Sequence, residues 1–263
     1  MTQLRIALAN LRPATTPDES VTLAVDAIRT AAERGAQIVC FPECYVPGYR
    51  TATRNLPPLD PTFLNRAWST IARTAGESKI TVVLGTERPV GSAARITTLV
   101  VNADGTTAGF QDKVQLDPSE EGAFVAGTSR SVFQIGDVTF GIVICHEGWR
   151  YPETARWAAR HGAHIVFHPH YHESEGGFVP SAFVDPRNTF HEKAMLCRAA
   201  ENTIYFASVN CALNDSPTTS AIIAPDGSVV AWQPYGEEGL LIADIDTSDA
   251  TRLLASRCRT FVD

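Results

Sequence analysis

Short apolar segments alternate with longer amphipathic segments along almost the whole chain, and this alternation restricts the possible folds more than any other feature. The short segments predict buried strands, whereas segments with apolar residues three and four positions apart predict helices. Some strands are joined by turn signals and others by helices, which favours an α/β fold with helices covering β-sheets. With 263 residues, the chain is expected to form one domain, residues 1–263.

These patterns divide the chain into individual elements. The predicted helices are Asp18–Arg34, Pro61–Ser78, Pro152–His161 and Pro186–Glu201. The predicted strands are Leu4–Ala9, Gln37–Phe41, Ile80–Gly85, Ile96–Val101, Thr106–Gln111, Ser131–Ile135, Val138–Ile144, His164–Phe167, Thr203–Val209, Ser220–Ala224, Ser228–Trp232 and Leu240–Ile245. The residues after the last strand are expected to form a tail.

Composition excludes several classes of partner. Lys and Arg total 22 against 29 Asp and Glu, a net charge of −7 that disfavours binding to nucleic acid. The longest run without a charged side chain, residues 202–214, is shorter than the ~20 apolar residues of a membrane span. The first apolar segment lacks a basic lead-in and predicts a strand rather than a signal peptide. We therefore expect a cytoplasmic protein whose six cysteines are reduced thiols.

Two segments of the chain resemble each other. Residues 31–42 and residues 158–169 both predict the end of a helix, a glycine, a buried strand and a proline. Helix-to-strand units can share this composition without any deeper relation. The alternative is a chain made of two related halves, in which Glu43 and His170 occupy equivalent positions.

Three reactive side chains follow predicted strands. Glu43 and Lys113 come just after strands, and Cys145 follows the apolar run 141–144. Because ligands of α/β sheets bind at the carboxyl ends of strands, these side chains are candidates for one site. Cys145 also precedes the helix predicted at Pro152, whose dipole would favour the nucleophilic thiolate. Backbone N–H groups in such a turn can stabilise an oxyanion.

The motifs around these residues occur in a characteristic order. They are Phe41-Pro42-Glu43, Asp112-Lys113-Val114 and Gly141-Ile142-Val143-Ile144-Cys145, followed by Arg198-Ala199-Ala200-Glu201-Asn202 and Ala224-Pro225-Asp226-Gly227. In combination they resemble the nitrilase superfamily, or carbon–nitrogen hydrolases, over nearly the whole chain. The resemblance implies a four-layer α-β-β-α sandwich and a Glu–Lys–Cys triad.

The resemblance also implies a role for each member of the triad. Glu43 would be the general base, Lys113 the oxyanion stabiliser and Cys145 the nucleophile, with the backbone N–H of His146 as a second oxyanion donor. A second glutamate would orient Lys113 or the incoming water, and the mechanism would need no metal and no cofactor.

Two adjacent residues compete for the place of the second glutamate, Glu120 and Glu121. Relatives tend to carry an aromatic residue about four positions after this glutamate and a glycine about seven after. Phe124 and Gly127 meet both counts from Glu120, which we therefore favour.

Histidines cluster between positions 161 and 172. A zinc site would need three or four converging ligands, and we favour partly buried strand residues over such a site. By analogy with the family, the segment after this strand lines the substrate pocket, so His170 is a candidate substrate contact. Trp149 is a second candidate, although a core aromatic beside a helix start would look the same.

The expected activity is hydrolysis of a small carboxamide to an acid and ammonia. The stretch from His146 to Glu153 resembles amidase relatives and lacks the Cys-Trp-Glu signature of true nitrilases. Hydrolysis of a nitrile or an N-carbamoyl amide is the alternative. A non-catalytic binding protein and a metal-dependent hydrolase are the rivals from other classes. Family members usually pair, so a homodimer or larger assembly is expected.

Substrate identity depends on loops that the sequence does not determine. Val46–Pro58 and Glu173–Asp185 are long enough to cover the pocket. Arg50, Arg54 and Arg187 are candidates for binding an acidic substrate, although each is more typical of a surface charge.

Overall fold

The computed structural model describes residues 3–50, 56–174, 176 and 178–259. Its helices are α1 Pro17–Glu33, α2 Pro61–Ser78, α3 His146–Arg150, α4 Pro152–Arg160, α5 His191–Ala200 and α6 Leu253–Arg257. Its strands are β1 Gln3–Asn10, β2 Ile38–Cys40, β3 Thr81–Val90, β4 Ala93–Val101, β5 Thr107–Asp112, β6 Val132–Ile135, β7 Val138–Ile142, β8 Ile165–Pro169, β9 Tyr205–Val209, β10 Ala221–Ile223, β11 Val229–Trp232 and β12 Gly239–Asp246.

The strands form two six-stranded sheets with one common topology. The first sheet has the order β12-β1-β2-β3-β4-β5, and the second has the order β6-β7-β8-β9-β10-β11. In both, the successive pairings are antiparallel, parallel, parallel, antiparallel and antiparallel. The two similar sequence segments end in β2 and β8, which hold equivalent places. The structure therefore favours the interpretation of two related halves.

Alternation along β1 shows how the layers are stacked. Leu4, Ile6 and Leu8 join a core cluster that also contains the side chains of the second sheet. Ala7 and Ala9 point to the opposite face and pack in a cluster with α1 and α2. Because successive strand residues face opposite sides, one strand contributes to two cores. With α4 and α5 on the outer face of the second sheet, the order of layers is α-β-β-α, as predicted.

The two outer helices on the first sheet begin where local chemistry favours it. Thr16 and Asp60 cap α1 and α2, and their side chains accept hydrogen bonds from first-turn N–H groups. A proline stands in the first turn of each helix, where its missing N–H costs nothing. Both helices match their predicted bounds to within one residue.

The prediction of a helix from Pro186 was wrong at its start, because α5 begins only at His191. The Asp185 carboxylate accepts hydrogen bonds from the backbone N–H groups of Ser181 and Arg187. Lys193 Nζ in turn donates to the carbonyl oxygen of Asp185 at 3.1 Å. These side-chain bonds hold the backbone before α5 in turns, an alternative to helix that Asp residues commonly provide.

Two short helices were not predicted. Helix α3 follows Cys145 directly and is too short to show a helical period. It is separated from α4 by Tyr151, because a residue before proline is driven out of the α region. Helix α6 lies in the stretch expected to be a tail and packs against α4. Across the described ranges, no helix is both long enough and apolar enough to cross a membrane.

Candidate active site

Lys113 lies at the centre of a buried cluster of charges. The lysine follows β5, and its backbone is fixed by hydrogen bonds to the Ile96 carbonyl and from the Gly127 N–H. Its Nζ lies 2.7 Å from Glu43 Oε1 and 2.6 Å from Glu120 Oε1. All three side chains are almost completely removed from solvent. Strands β2 and β5 run in the same direction, so the residues that follow them meet at one end of the sheet.

The structure separates the two adjacent glutamates. Glu120 is buried and its Oε1 accepts a hydrogen bond from the Tyr49 hydroxyl at 2.5 Å, in addition to the lysine bond. Its Oε2 accepts a bond from the backbone N–H of Asp117 at 2.8 Å. Glu121 is exposed. Glu120 is therefore the second carboxylate beside Lys113, as its spacing to Phe124 and Gly127 predicts.

Cys145 lies beyond the end of β7 in a sharply turned backbone. Its φ of 48° and ψ of −111° are strained values for a residue with a side chain. Its N–H donates to the Pro169 carbonyl at 2.8 Å, so the end of β8 holds the turn. The thiol lies within hydrogen-bonding reach of the Glu43 carboxylate. The structure thus brings Glu43, Lys113 and Cys145 together between the two sheets.

Electrostatics makes Cys145 a neutral thiol in the resting site. Burial, reinforced by the charge of Glu43, raises its pKa well above the usual thiol value even though Lys113 acts in the opposite direction. A helix dipole was expected to favour the thiolate, but burial outweighs it here, and the helix that directly follows Cys145 has only five residues. The thiol proton has to leave during the attack on the substrate, which requires a base in contact with it.

Glu43 has the properties of that base. Burial raises its pKa to about 7, with Lys113 lowering the value and Glu120 raising it. A carboxylate with a pKa near neutrality is well matched to both accepting and returning a proton. Burial disfavours the charge of Lys113, but the negative groups around it outweigh burial and raise its pKa. The lysine is therefore a permanent ammonium group.

Glu147 is a buried residue that the sequence analysis missed. Its Oε1 accepts hydrogen bonds from the backbone N–H groups of Val114 and Gln115 and from the Arg130 guanidinium, at 2.9–3.1 Å. Its Oε2 accepts from the N–H of Ile144 at 2.9 Å. One carboxylate thus ties the lysine loop to the cysteine turn. Its position two residues after the cysteine indicated a place near the site, but its hydrogen-bond partners in the lysine loop are distant in sequence.

A cavity of about 500 Å³ lies beside this cluster. It is lined by Tyr49, Arg50, Asp117, Ser119, Glu120, Ala123, Phe124, Cys145, His146, Trp149, Arg150, Tyr171, His172, Glu173, Ser174 and His191. Its size is typical of a pocket for a small molecule. Trp149, a candidate substrate contact from the sequence, lines the cavity.

His170 requires a correction, because it does not line this cavity. The backbone N–H of His170 donates to the Val209 carbonyl at 2.9 Å, which extends the pairing of β8 with β9. Its ring is fully buried behind Trp149, with ring centroids 4.8 Å apart. The neighbouring residues Tyr171 and His172 line the cavity instead. The Tyr171 backbone N–H also donates to Glu43 Oε2 at 3.2 Å.

The clustered histidines have different surroundings. His168 and His170 stack in the interior at 5.0 Å between ring centroids, and both pack against Trp149. Within the described part of the chain, no group of three or more His, Cys, Asp or Glu side chains has the arrangement of a metal site. No disulfide joins the six cysteines.

The arginines proposed for an acidic substrate are placed differently from one another. Arg50 lines the cavity, but its guanidinium is paired with the buried carboxylate of Glu87 at 2.6 Å. Arg187 is paired with Asp185 at 3.0 Å. Arg54 lies outside the described residues.

Comparison with known proteins agrees with this geometry. The sequence profile named carbon-nitrogen hydrolase matches residues 5–253. The chain belongs to the carbon–nitrogen hydrolase family. Like its relatives, this family member is a cysteine-dependent hydrolase, and Cys145 is its catalytic cysteine.

Two relatives and one solved structure represent the range of similarity. A nitrilase from Pyrococcus abyssi is 28% identical over 244 residues, which cover 88% of this chain and 84% of the nitrilase. An omega-amidase from Homo sapiens is 27% identical over 263 residues, which cover 94% of this chain and 90% of the omega-amidase. An amidase from Nesterenkonia sp. has a TM-score of 0.78 at 26% identity, covering 97% of this chain and 96% of the amidase. In a variant of that amidase, acrylamide has added to the active-site cysteine.

Proposed function

We propose that this hydrolase cleaves small carboxamides into the acid and ammonia through a thioester on Cys145. The observation that carries the proposal is the contact of Lys113 Nζ with both Glu43 and Glu120 beside a buried thiol on a small cavity. A carboxamide is a weak electrophile, and its nitrogen leaves only when protonated. The site therefore has to supply a nucleophile, an oxyanion donor and a group that carries a proton in both directions.

Acylation follows from the positions of these groups. Cys145 Sγ bonds to the amide carbon while its proton passes to Glu43, and the carbonyl oxygen becomes an oxyanion. The Lys113 ammonium and the His146 N–H stabilise that oxyanion, each contribution being on the order of 10²–10³ in rate. His146 opens α3, so its N–H has no acceptor within the helix. Glu43 then protonates the nitrogen, ammonia leaves, and the thioester remains.

Deacylation reuses the same carboxylate. Glu43, again ionised, accepts a proton from a water molecule that attacks the thioester carbon. The second tetrahedral intermediate collapses to the acid, and the proton on Glu43 returns to the departing sulfur. Glu120 keeps Lys113 in place through both steps, since it binds the same ammonium group at 2.6 Å. Proton transfer of this kind contributes about 10²–10⁴ in rate.

The preference for amides over nitriles rests on the sequence after the cysteine and on the solved relatives. His146 stands where true nitrilases carry tryptophan, and Tyr151-Pro152-Glu153 resembles amidase relatives. The solved Nesterenkonia sp. amidase forms a complex with butyramide in a variant that is 25% identical to this chain. Because the chain is also similar to the Pyrococcus abyssi nitrilase, nitrile hydrolysis is the second candidate.

Ammonia release from purified protein tests this proposal. We expect turnover of butyramide and other short aliphatic amides, with slower or no release from the matching nitriles and N-carbamoyl amines. The Cys145→Ala variant should release no ammonia while keeping the wild-type unfolding transition. Ammonia release from nitriles alone would replace the amide assignment, and equal turnover by Cys145→Ala would refute the mechanism.

One side chain of the cavity, Arg150, supports an acidic group on the part of the substrate remote from the amide. Arg150 lines the cavity at the end of α3, and its guanidinium lies 4.0 Å over the ring of Phe190. Within the described residues it forms no salt bridge, in contrast to Arg50 and Arg187. An arginine without a carboxylate partner at the rim of a pocket can bind a substrate carboxylate. We therefore infer that ω-amides of short dicarboxylic acids are better substrates than neutral amides.

Substitution of Arg150 separates this inference from the amidase assignment. In Arg150→Gln we expect KM for an acidic ω-amide to rise about tenfold, the value of one charge-assisted hydrogen bond, with little change for butyramide. Arg187→Gln is the matched control, since Arg187 does not line the cavity and should leave both KM values unchanged. An equal effect of Arg150→Gln on both substrates would contradict a role in binding the carboxylate.

A further inference from the structure

The strained backbone of Cys145 is held on both sides by the end of β8. Its N–H donates to the Pro169 carbonyl at 2.8 Å, and its carbonyl oxygen lies 2.8 Å from His168 Nε2. The same carbonyl accepts a bond from the Gly148 N–H at 2.9 Å. His168 is fully buried and lies outside the cavity, so it has no direct contact with a substrate there.

The hydrogen-bond partners determine which nitrogen of His168 carries the proton. A carbonyl oxygen only accepts, so Nε2 has to be the donor. Burial lowers the pKa of His168 to about 3, which keeps the ring neutral and leaves Nδ1 as an acceptor. Ser208 Oγ lies 2.8 Å from Nδ1 and supplies the matching hydroxyl proton.

A second histidine fixes the direction of the serine hydroxyl. His170 Nδ1 lies 3.1 Å from Ser208 Oγ and 3.4 Å from the His168 carbonyl oxygen. Because the carbonyl only accepts, Nδ1 of His170 is a donor, and it donates to the serine oxygen as well. The serine proton is then left for His168. The bond to Ser208 explains why His170 is buried, whereas a role in substrate contact would not.

The bond to His168 also fixes the direction of the His146 N–H. The peptide between Cys145 and His146 is planar and trans, so its carbonyl and its N–H point in opposite directions. The carbonyl points into the interior toward His168. The N–H of the same peptide consequently points away from His168, which leaves it available to the oxyanion of the mechanism proposed above.

Gly148 leaves the space that the His168 ring occupies. A Cβ atom at this position would lie 2.5 Å from the ring carbon Cδ2 of His168 and 2.6 Å from Nε2. A larger residue would displace the ring from the Cys145 carbonyl. The sequence therefore combines a glycine in α3 with a histidine in β8 to make one buried contact.

We propose that His168, in the tautomer set by Ser208, is a positioning residue that orients the His146 N–H as an oxyanion donor. The proposal rests on the mechanism proposed above and adds a group that acts on the oxyanion donor without contact with substrate. It predicts that loss of the His168 donor slows reactions that form an oxyanion and spares reactions of the same thiol that do not.

Two reactions of Cys145 make this distinction measurable. Amide hydrolysis passes through an oxyanion, whereas alkylation of the thiol by iodoacetamide is a displacement at carbon that forms none. In His168→Leu we expect kcat for butyramide to fall by about 10²-fold. If the wild type prefers another amide, a carbamoyl compound or a nitrile, that substrate is used instead. The alkylation rate at Cys145, mapped by peptide mass spectrometry, should change less than about threefold. Ser208→Ala should lower kcat in the same selective manner, but less.

The controls separate positioning from general damage. His168→Gln keeps an N–H donor of similar reach and should recover most of kcat. His164 precedes β8, whereas Cys145 contacts the other end of this strand, so His164→Gln should match wild type. Equal losses of turnover and alkylation in His168→Leu, or no loss of turnover, would overturn the proposal. If His168→Leu does not fold, Ser208→Ala carries the test. Independently of activity, ¹⁵N NMR of the wild type should show His168 neutral and protonated at Nε2, and protonation at Nδ1 would also overturn it.

Discussion

At the scale of single residues, the site consists of ionisable groups whose charges depend on one another. Lys113 binds two carboxylates, and burial, followed by the negative charge of Glu43, raises the pKa of the Cys145 thiol and keeps it protonated. A free thiolate at rest would add a third negative charge to a site removed from water. Transfer of the thiol proton to Glu43 during attack keeps the number of negative charges constant, which explains why glutamate and cysteine are found in contact.

The thioester on Cys145 should be observable when Glu43 cannot act as a base. In Glu43→Gln the amide group cannot accept a proton from water, so we expect deacylation to be slowed at least as strongly as acylation. Incubation with a reactive short amide should then give an adduct in the intact-mass spectrum. Peptide mapping should place it on Cys145. An adduct on Cys44 or Cys197 would identify a different nucleophile.

The pH dependence of turnover should report the ionisation of Glu43. Burial raises its pKa to about 7, and only the ionised form can accept the thiol proton. We therefore expect kcat/KM for a neutral amide to be low at acid pH, to rise through about pH 7 and to level off above it. His146 also faces the cavity, so the profile of His146→Gln serves as a control and should keep the same midpoint. A profile that is flat between about pH 5 and pH 9 would contradict Glu43 as the base.

At the scale of elements, the positions of the catalytic groups depend on contacts between segments far apart in sequence. Glu147 at the start of α3 binds the loop after β5, and the end of β8 binds the cysteine turn after β7. The first contact joins the segments that carry Lys113 and Cys145, and the second holds the turn that carries Cys145. Damage to any of them should therefore affect stability and catalysis together.

Replacement of Glu147 tests the importance of one such contact. In Glu147→Gln, the Arg130 guanidinium loses its buried counter-charge at 2.9 Å. Removing one partner of a buried ion pair typically costs about 3–5 kcal/mol of unfolding free energy, and we expect a loss in this range because the glutamine NH2 group would also face a backbone N–H donor. Denaturant unfolding measures it. The exposed Glu121→Gln is the control and should stay within about 0.5 kcal/mol of wild type.

Gly85 in β3 lies where the loop that carries Glu43 passes closest to the sheet. A Cβ atom there would lie 1.8 Å from the carbonyl oxygen of Pro42, which is backbone and has no room to yield. We expect Gly85→Ala to lose at least about 3 kcal/mol of unfolding free energy, the upper range for overpacked cores.

A second alanine substitution controls for the general cost of replacing a glycine. In Gly239→Ala the new Cβ would meet only the end of the Gln233 side chain at 3.1 Å, which can move. This variant should unfold close to wild type. If Gly85→Ala and Gly239→Ala unfold alike in thermal or denaturant melts, the close contact between β3 and the Glu43 loop does not limit the stability of the protein.

At the scale of the whole molecule, two sheets of identical topology face each other and contribute different residues to one site. The first sheet provides Glu43 and Lys113, and the second provides Cys145. The positions after β2 and β8 are equivalent, yet one carries Glu43, the proposed base, and the other the buried His170. The two halves thus share an architecture, but Glu43 is a carboxylate in the site, whereas His170 is an imidazole outside the cavity.

Assembly of the chain remains a prediction at this scale. The family resemblance favours a homodimer or a larger homo-oligomer. Light scattering coupled to size-exclusion chromatography should therefore give a mass at or above twice the 28.5 kDa of one chain. A monomer mass at all protein concentrations tested would contradict the prediction.

Much of this architecture could be predicted from the sequence, because the determining signals are local. Helix periods, capping prolines and turn glycines identified most elements, with α2 matching its predicted bounds of Pro61–Ser78. Through the family resemblance, the motifs around Glu43, Lys113 and Cys145 predicted the triad, and the spacing to Phe124 and Gly127 predicted Glu120. The helix and turn signals lie in neighbouring residues, whereas the site residues were predicted from motifs shared with the family.

Only the tertiary structure decided the remaining features, because they arise from contacts between distant segments. Burial outweighed the helix dipole that was expected to favour the Cys145 thiolate. The partners of Asp185 delayed the start of α5, and pairing of β8 with β9 turned His170 away from the cavity. Desolvation depends on what surrounds a group in space, which its neighbours along the chain do not specify. The sequence by itself predicted which groups carry out the chemistry, and the packing of the two sheets determined their protonation and orientation.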